Sequence, residues 1–154
     1  MTSATQAEAP LLSQEAKVPL GKVTGRIDHL AVDLQRGRLF VAELGNNTVG
    51  VVDLKTRQKA ETLRGIQEPQ GIGYEPSTDT VWVASGDDGT VHVLHGDTYQ
   101  ALGQIDLHDD ADNIRIDPVM HRVYVGYGSG GLAVIDPATR AQVGNIPLNG
   151  HPEG

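Results

Sequence analysis

The chain has 154 residues, with 12 basic and 20 acidic side chains, a formal net charge of -8 and no cysteine. This charge opposes binding to nucleic acid, whose phosphates are held by Lys and Arg, and to anionic lipid. The missing cysteines exclude disulfides, thiolate zinc sites and cysteine nucleophiles. No segment approaches the ~18 consecutive apolar residues of a membrane span, so we expect none.

The N-terminal residues 1–21 are predicted to be a tail and lead-in rather than part of the fold. Ala7-Glu8-Ala9 resembles the end of a signal-peptide cleavage site, but no apolar segment precedes it. We therefore expect no export signal in this segment, and the residues leave the compartment open.

The first folded unit is predicted to contain four short strands. Gly45-Asn46-Asn47 suits a hairpin turn, because Gly and Asn tolerate positive φ. The run Val49–Val52 is almost wholly apolar, as expected for a strand packed on both faces. The predicted strands are 30–33, 38–43, 48–53 and 58–63.

The unit recurs along the chain. Leu39-Phe40-Val41-Ala42 returns as Val81-Trp82-Val83-Ala84 and again as Val123-Tyr124-Val125-Gly126, each time 42 residues later. A period of ~40 to 45 residues with four strands per unit is typical of β-propellers. We therefore predict an all-β fold of four-stranded antiparallel blades, with Phe40, Trp82 and Tyr124 in the layers between blades.

The predicted propeller occupies residues 22–154. Its blades span about 26–67, 68–109 and 110–150, and residues 151–154 begin another. Known propellers have ~4 to 8 blades. The sequence therefore predicts a partial ring, as in a fragment of a larger ring, which the remaining blades or another chain must close.

The repeated segments resemble a known family. Gly37-Arg38-Leu39-Phe40-Val41-Ala42 and Asn47-Thr48-Val49-Gly50-Val51-Val52-Asp53 resemble the YVTN-repeat β-propellers, and Thr90–Val93 and Leu132–Asp136 match more loosely. The resemblance implies about seven blades, a periplasmic or secreted location, and a binding or scaffold role with an unidentified ligand. It is good evidence for the fold and poor evidence for function, since propellers carry unrelated activities.

The candidate site lies where each unit begins. The repeat places four acidic or amide residues at one ring position, at a mouth of the axial channel: Asp28, Gln70, Asp112 and Glu153. His29 and Asn113 border them in the predicted ligand site. Oxygen ligands from several loops suit a divalent cation such as Ca²⁺, and Asp28, Asp112 and Glu153 are its candidate ligands.

Two other interpretations of these residues remain open. His29 and His151 could add nitrogen ligands for a transition metal. Alternatively, the residues only accept hydrogen bonds from turn amides.

The leading functional hypothesis is a non-enzymatic binding or scaffold protein with no catalytic residues, whose partner is a small molecule, an ion or a protein and not nucleic acid. The alternative is a metal-dependent hydrolase of the lactonase type, in which a metal-bound water is the nucleophile. Gly126–Gly131 satisfies G-x-G-x-x-G, but a strand follows it rather than the helix that a dinucleotide site requires. We interpret it as a hairpin turn.

An open arc of blades leaves an apolar face and a sheet edge uncovered. We therefore predict that the chain alone is marginally stable or aggregates, which thermal unfolding combined with gel filtration would measure. A sharp cooperative transition of a monomer would contradict the prediction.

Overall fold

The computed structural model describes residues 12–152, which form three antiparallel four-stranded sheets. The first sheet contains β1 (Leu30–Asp33), β2 (Arg38–Glu43), β3 (Thr48–Asp53) and β4 (Gln58–Arg64). The second contains β5 (Pro69–Glu75), β6 (Thr80–Ser85), β7 (Thr90–His95) and β8 (Ala101–Asp106). The third contains β9 (Ala111–Asp117), β10 (Arg122–Tyr127), β11 (Gly131–Asp136) and β12 (Ala141–Pro147). A 3₁₀ turn, Leu44–Asn46, connects β2 to β3.

Within each sheet the strands pair in chain order, and we call the sheets blades 1, 2 and 3. The first strands of the blades contact one another, β1 against β5 and β5 against β9, so they lie innermost around a shared axis. This arrangement is part of a β-propeller and confirms the predicted fold class. The strands of blade 1 have the predicted bounds, except that β4 extends one residue further.

Two apolar layers hold the blades together. Between blades 1 and 2 lie Phe40, Val51 and Val81 with their neighbours. Between blades 2 and 3 lies Trp82, whose Nε1 donates a hydrogen bond to Thr80 Oγ1 over 2.8 Å. The core position predicted for Phe40 and Trp82 is therefore confirmed.

Tyr124 differs from these two aromatic residues. Its neighbours Val123 and Val125 pack toward blade 2, so Tyr124 lies on the opposite face of blade 3 and is only half-buried. Leu132 and Val134 share that face and are also half-buried. Tyr124 therefore lies on the face of blade 3 that would pack against a further blade, and no described residue forms such a blade.

The segment around Leu20 and Lys22 covers the other end of the arc. Lys59 Nζ donates to the carbonyl oxygen of Leu20 over 3.3 Å, and Asn46 Nδ2 donates to that of Lys22 over 3.3 Å. Beneath this segment Glu43 is fully buried, with its Oε1 2.7 Å from Lys59 Nζ. A segment without strand structure therefore lies over the outer face of blade 1.

Acceptors at the strand ends fix the turns. Asp53 Oδ1 accepts hydrogen bonds from the amides of Lys55 and Thr56, and the same pattern follows β1, β9 and β11. After β7, His95 takes this place, and its Nδ1 accepts from the amide of Asp97 over 3.1 Å. Side chains that bond the backbone two or three residues later stabilise tight turns.

No helix among residues 12–152 has the length and apolar character needed to span a membrane.

Blades 2 and 3 approach each other closely at Gly71. A Cβ there would lie 1.9 Å from the carbonyl oxygen of Asp112, a backbone atom that cannot simply swing away. We predict that Gly71→Ala lowers the free energy of unfolding by about 2 kcal/mol, because overpacking forces backbone shifts. Urea unfolding measures the change. Gly144→Ala is the control, since its Cβ would meet only Val134 at 3.6 Å; equal effects of the two substitutions would contradict the prediction.

Candidate functional site

A cavity of about 300 Å³ lies at the end of the axis where the innermost strands begin. Four of the residues predicted for the site line it: Asp28, His29, Gln70 and Asp112. Arg26, Asp110 and His151 complete the lining. The structure thus brings together side chains that are about 40 residues apart in the chain.

A β-bulge turns the inner strands of blades 2 and 3 toward this cavity. In blade 2, Pro69 pairs with Ser85 and Ile72 with Val83, so residues 70 and 71 together oppose the single residue Ala84. In blade 3, Ala111 pairs with Tyr127 and Ile114 with Val125, so residues 112 and 113 together oppose Gly126. A bulge bends its strand and redirects a side chain, and bulges are common next to active sites.

Blade 1 has the same two-against-one pattern just before β1. The amide of Asp28 donates to the carbonyl oxygen of Ala42 over 2.9 Å, and the amide of Ala42 donates to that of His29 over 3.0 Å. The opposed residues, Ala42, Ala84 and Gly126, recur every 42 residues. The bulge is therefore repeated in all three blades. Its first residue is Asp28 in blade 1, Gln70 in blade 2 and Asp112 in blade 3.

Gln70 orients a carboxylate instead of pointing freely into the cavity. Its Nε2 donates to Asp110 Oδ1 over 2.8 Å. Gly86 makes room for this amide, because a Cβ at that position would lie 2.0 Å from Gln70 Nε2. Asp110 is thereby held at the edge of the cavity.

Asp28 lies between a cation and an imidazole. Arg26 donates to Asp28 Oδ2 over 2.6 Å, while Asp28 Oδ1 lies 3.3 Å from His29 Nδ1. The geometry of the second contact is not that of a hydrogen bond, since His29 Nδ1 is buried without a partner among the described residues. Asp28 thus has one oxygen engaged and one directed at His29.

Asp112 is the most deeply buried acid of the cavity, at 6% exposure. Its Oδ2 lies 3.3 Å from His151 Nε2, whereas its Oδ1 has no hydrogen-bond partner in residues 12–152. Burial raises the pKa of the Asp112 carboxyl; the contact with His151 opposes this and the negative charge of Asp28 adds to it. An unsatisfied buried polar atom costs about 1–3 kcal/mol, so Oδ1 of Asp112 lowers the stability of the fold.

His151 is oriented by the backbone. Its Nδ1 lies 2.5 Å from the carbonyl oxygen of Gly128, which directs Nε2 toward Asp112. The bond to Gly128 raises the pKa of His151, and the contact with Asp112 raises it further. This histidine therefore holds Oδ2 of Asp112 from one side.

Two predicted site residues are not in the cavity lining that the structure describes. Asn113 is 8% exposed, and its Oδ1 accepts a hydrogen bond from Arg115; it is absent from the lining, although His29, the second bulge residue of blade 1, is part of it. Glu153, predicted as a ligand, lies outside the described residues.

Sequence reasoning missed Asp110 and Arg26 as members of the lining. Each stands two residues before a predicted site residue, Asp110 before Asp112 and Arg26 before Asp28. The repeat alignment therefore contained the signal that would have identified them.

Acidic side chains outnumber basic ones in the cavity lining. It contains three carboxylates, Asp28, Asp110 and Asp112, against one guanidinium, Arg26. Two imidazoles and one amide add further hydrogen-bonding groups. The fold and the cavity together define a partial β-propeller with an acidic pocket at one end of its axis.

No family model and no curated protein matches the sequence. Among solved structures the chain is similar to hydrazine synthase of Kuenenia stuttgartiensis, a propeller-containing protein, with a TM-score of 0.75 and 19% identity. The similarity covers 90% of this chain and 40% of that one, so the chain spans less than half the length of this structure. The likeness shows the propeller fold.

We predict that Asp112→Asn raises the melting temperature of the chelator-treated protein, because the variant removes a buried carboxylate whose charged form is disfavoured. Since the folded-state pKa of Asp112 is raised, the cost of its ionisation is fully present above that pKa and disappears below about pH 3.8. The increase in melting temperature over the wild type is greatest at mildly alkaline pH. It shrinks as the pH falls and His151, whose pKa is also raised, becomes the cationic partner of Asp112.

Thermal unfolding across this pH range is the measurement. Asp87→Asn, in the exposed hairpin of blade 2, is the control and should change little. A lower melting temperature for Asp112→Asn at alkaline pH would show that Asp112 stabilises the fold instead.

Proposed function

We propose that this chain is part of a non-enzymatic β-propeller binding protein whose ligand occupies the cavity at the end of the axis. The observation that carries the proposal is the repeated bulge, which turns Asp28, Gln70 and Asp112 of three blades toward one cavity. Bulges cost regular strand pairing, and their recurrence at one ring position suits a shared ligand better than a purely structural role.

The ligand is positively charged. Three carboxylates outnumber the single guanidinium in the cavity, and the net charge of -8 attracts cations to the chain as a whole. A divalent cation such as Ca²⁺ or the amine of a small molecule or protein has the required chemistry.

Further blades, from the same or another chain, complete the ring in this proposal. Tyr124, Leu132 and Val134 are half-buried, whereas the residues at the same positions in blade 2, Trp82, Val91 and Val93, are fully buried. Covering the outer face of blade 3 with another blade would remove this difference.

Membership of the YVTN-repeat family is part of the proposal. The repeated segments in β2 and β3 support it, and the periplasmic or secreted location proposed here depends on that resemblance.

A metal-dependent hydrolase of the lactonase type is the second candidate. The clustering of Asp28, His29 and Asp112 favours it, since their ligand atoms lie within 4.8 Å of one another. Asp110, held by Gln70, is a carboxylate that could serve as a base. Turnover of a sugar lactone by the wild type but not by Asp112→Asn would favour the hydrolase over the binding protein.

The binding proposal is tested by thermal unfolding with Ca²⁺, Zn²⁺ or spermidine as the probe. At about 100 times its Kd, a ligand of the cavity should raise the free energy of unfolding by about 2.7 kcal/mol. The double variant Asp28→Asn/Asp112→Asn should lose this response, because both carboxylates line the cavity, and Asp87→Asn should keep it. No response to any probe, or an equal response in the double variant, would contradict the proposal.

A further inference from the structure

We propose that the cavity binds a first-row transition-metal dication, with one carboxylate oxygen each from Asp28 and Asp112 and a ring nitrogen of His29 as ligands. This inference rests on the proposed binding role of the cavity and specifies the ligand class. Of the two cation sites that the sequence left open, it selects the transition-metal site with a histidine ligand over the all-carboxylate Ca²⁺ site.

The first observation is the geometry of the cluster. The three ligand atoms lie within 4.8 Å of one another. Ligand atoms that bind a tetrahedral dication with bonds of about 2.1 Å lie about 3.4 Å apart. Small side-chain rotations would therefore close the cluster around one ion.

The second observation is independent of the clustering. Among residues 12–152, two buried side-chain atoms lack a hydrogen-bond partner, and they are His29 Nδ1 and Asp112 Oδ1. Both belong to this cluster, and Asp112 is 6% exposed. Buried polar atoms almost always have partners, and an exception calls for an explanation, of which a bound water or ion is one. A metal ion would satisfy both atoms at once.

The carboxylates are already oriented for such an ion. Arg26 engages Oδ2 of Asp28 at 2.6 Å, and His151 lies 3.3 Å from Oδ2 of Asp112, so each acid has its Oδ1 left for the ion. Residues that hydrogen-bond the atom of a ligand side chain that does not bind the metal are typical of metal sites, and they strengthen metal binding. Arg26 and His151 are therefore positioning residues for the two acids.

The ligand set favours a transition metal over Ca²⁺. Ca²⁺ takes six to eight oxygen ligands, and the cluster offers two carboxylates and an imidazole nitrogen. Imidazole suits Zn²⁺, Cu²⁺, Ni²⁺ and Fe²⁺, and three protein ligands leave a coordination position open to a water or a small anion.

The test is calorimetric titration of the full chain, stripped with a chelator, with Zn²⁺ and separately with Ca²⁺. Absorption spectra of the Co²⁺ complex report nitrogen and oxygen coordination. We expect one Zn²⁺ per chain, bound more tightly than Ca²⁺. His29→Ala and Asp112→Asn should each weaken Zn²⁺ binding at least about tenfold. If His29→Ala does not fold, as circular dichroism would show, His29→Asn replaces it.

The matched control is His108→Ala. His108 lies 3.0 Å from Asp106 in a second His–Asp pair, but its side chain is 82% exposed and outside the cavity. This variant should bind Zn²⁺ like the wild type, whereas a loss equal to that of His29→Ala would reveal adventitious surface binding and overturn the inference.

Two further outcomes separate this inference from the proposed function. If Ca²⁺ binds more tightly than Zn²⁺, or Zn²⁺ binding is lost in Asp112→Asn but not in His29→Ala, the transition-metal site is wrong and the binding cavity stands. If neither metal binds and spermidine also leaves the melting temperature unchanged, both proposals fail.

Discussion

A four-stranded sheet with two apolar faces cannot bury them by itself, and the rest of this structure depends on that constraint. Val51 of blade 1 and Val81 of blade 2 meet in one layer, and Trp82 faces blade 3 in the next. Each sheet supplies half of a core that only its neighbour completes. The twist of the sheets then arranges the stack around an axis, with β1, β5 and β9 innermost.

The same stacking creates the cavity. Three innermost strands begin at one end of the axis, and each has its extra residue at the same ring position. The close approach that makes this possible requires Gly71, whose missing side chain lets β5 lie against the carbonyl of Asp112. Packing and site are thus coupled, because the contacts that join blades 2 and 3 also set the distance between Gln70, Asp112 and their neighbours.

The cavity also departs from the rules that the rest of the chain follows. At strand ends, acids accept hydrogen bonds from turn amides, as Asp53 and Asp136 do. In the cavity, Asp112 is buried with one oxygen unsatisfied and its pKa raised, and His29 Nδ1 is unpartnered among the described residues. A local departure of this kind is characteristic of functional sites, where a bound ligand can satisfy such groups.

The sequence by itself determined the repeat, the strand bounds of the first blade and the ring position of Asp28, Gln70 and Asp112, since a period and an alternation of apolar residues are local properties of the chain. It did not reveal that Asn113 is directed toward Arg115, or that Asp110 and Arg26 line the cavity. Those outcomes depend on bulges and on contacts between blades, which change the direction of a side chain without leaving a residue pattern. Only the tertiary structure decided which atoms face one another and which lack partners.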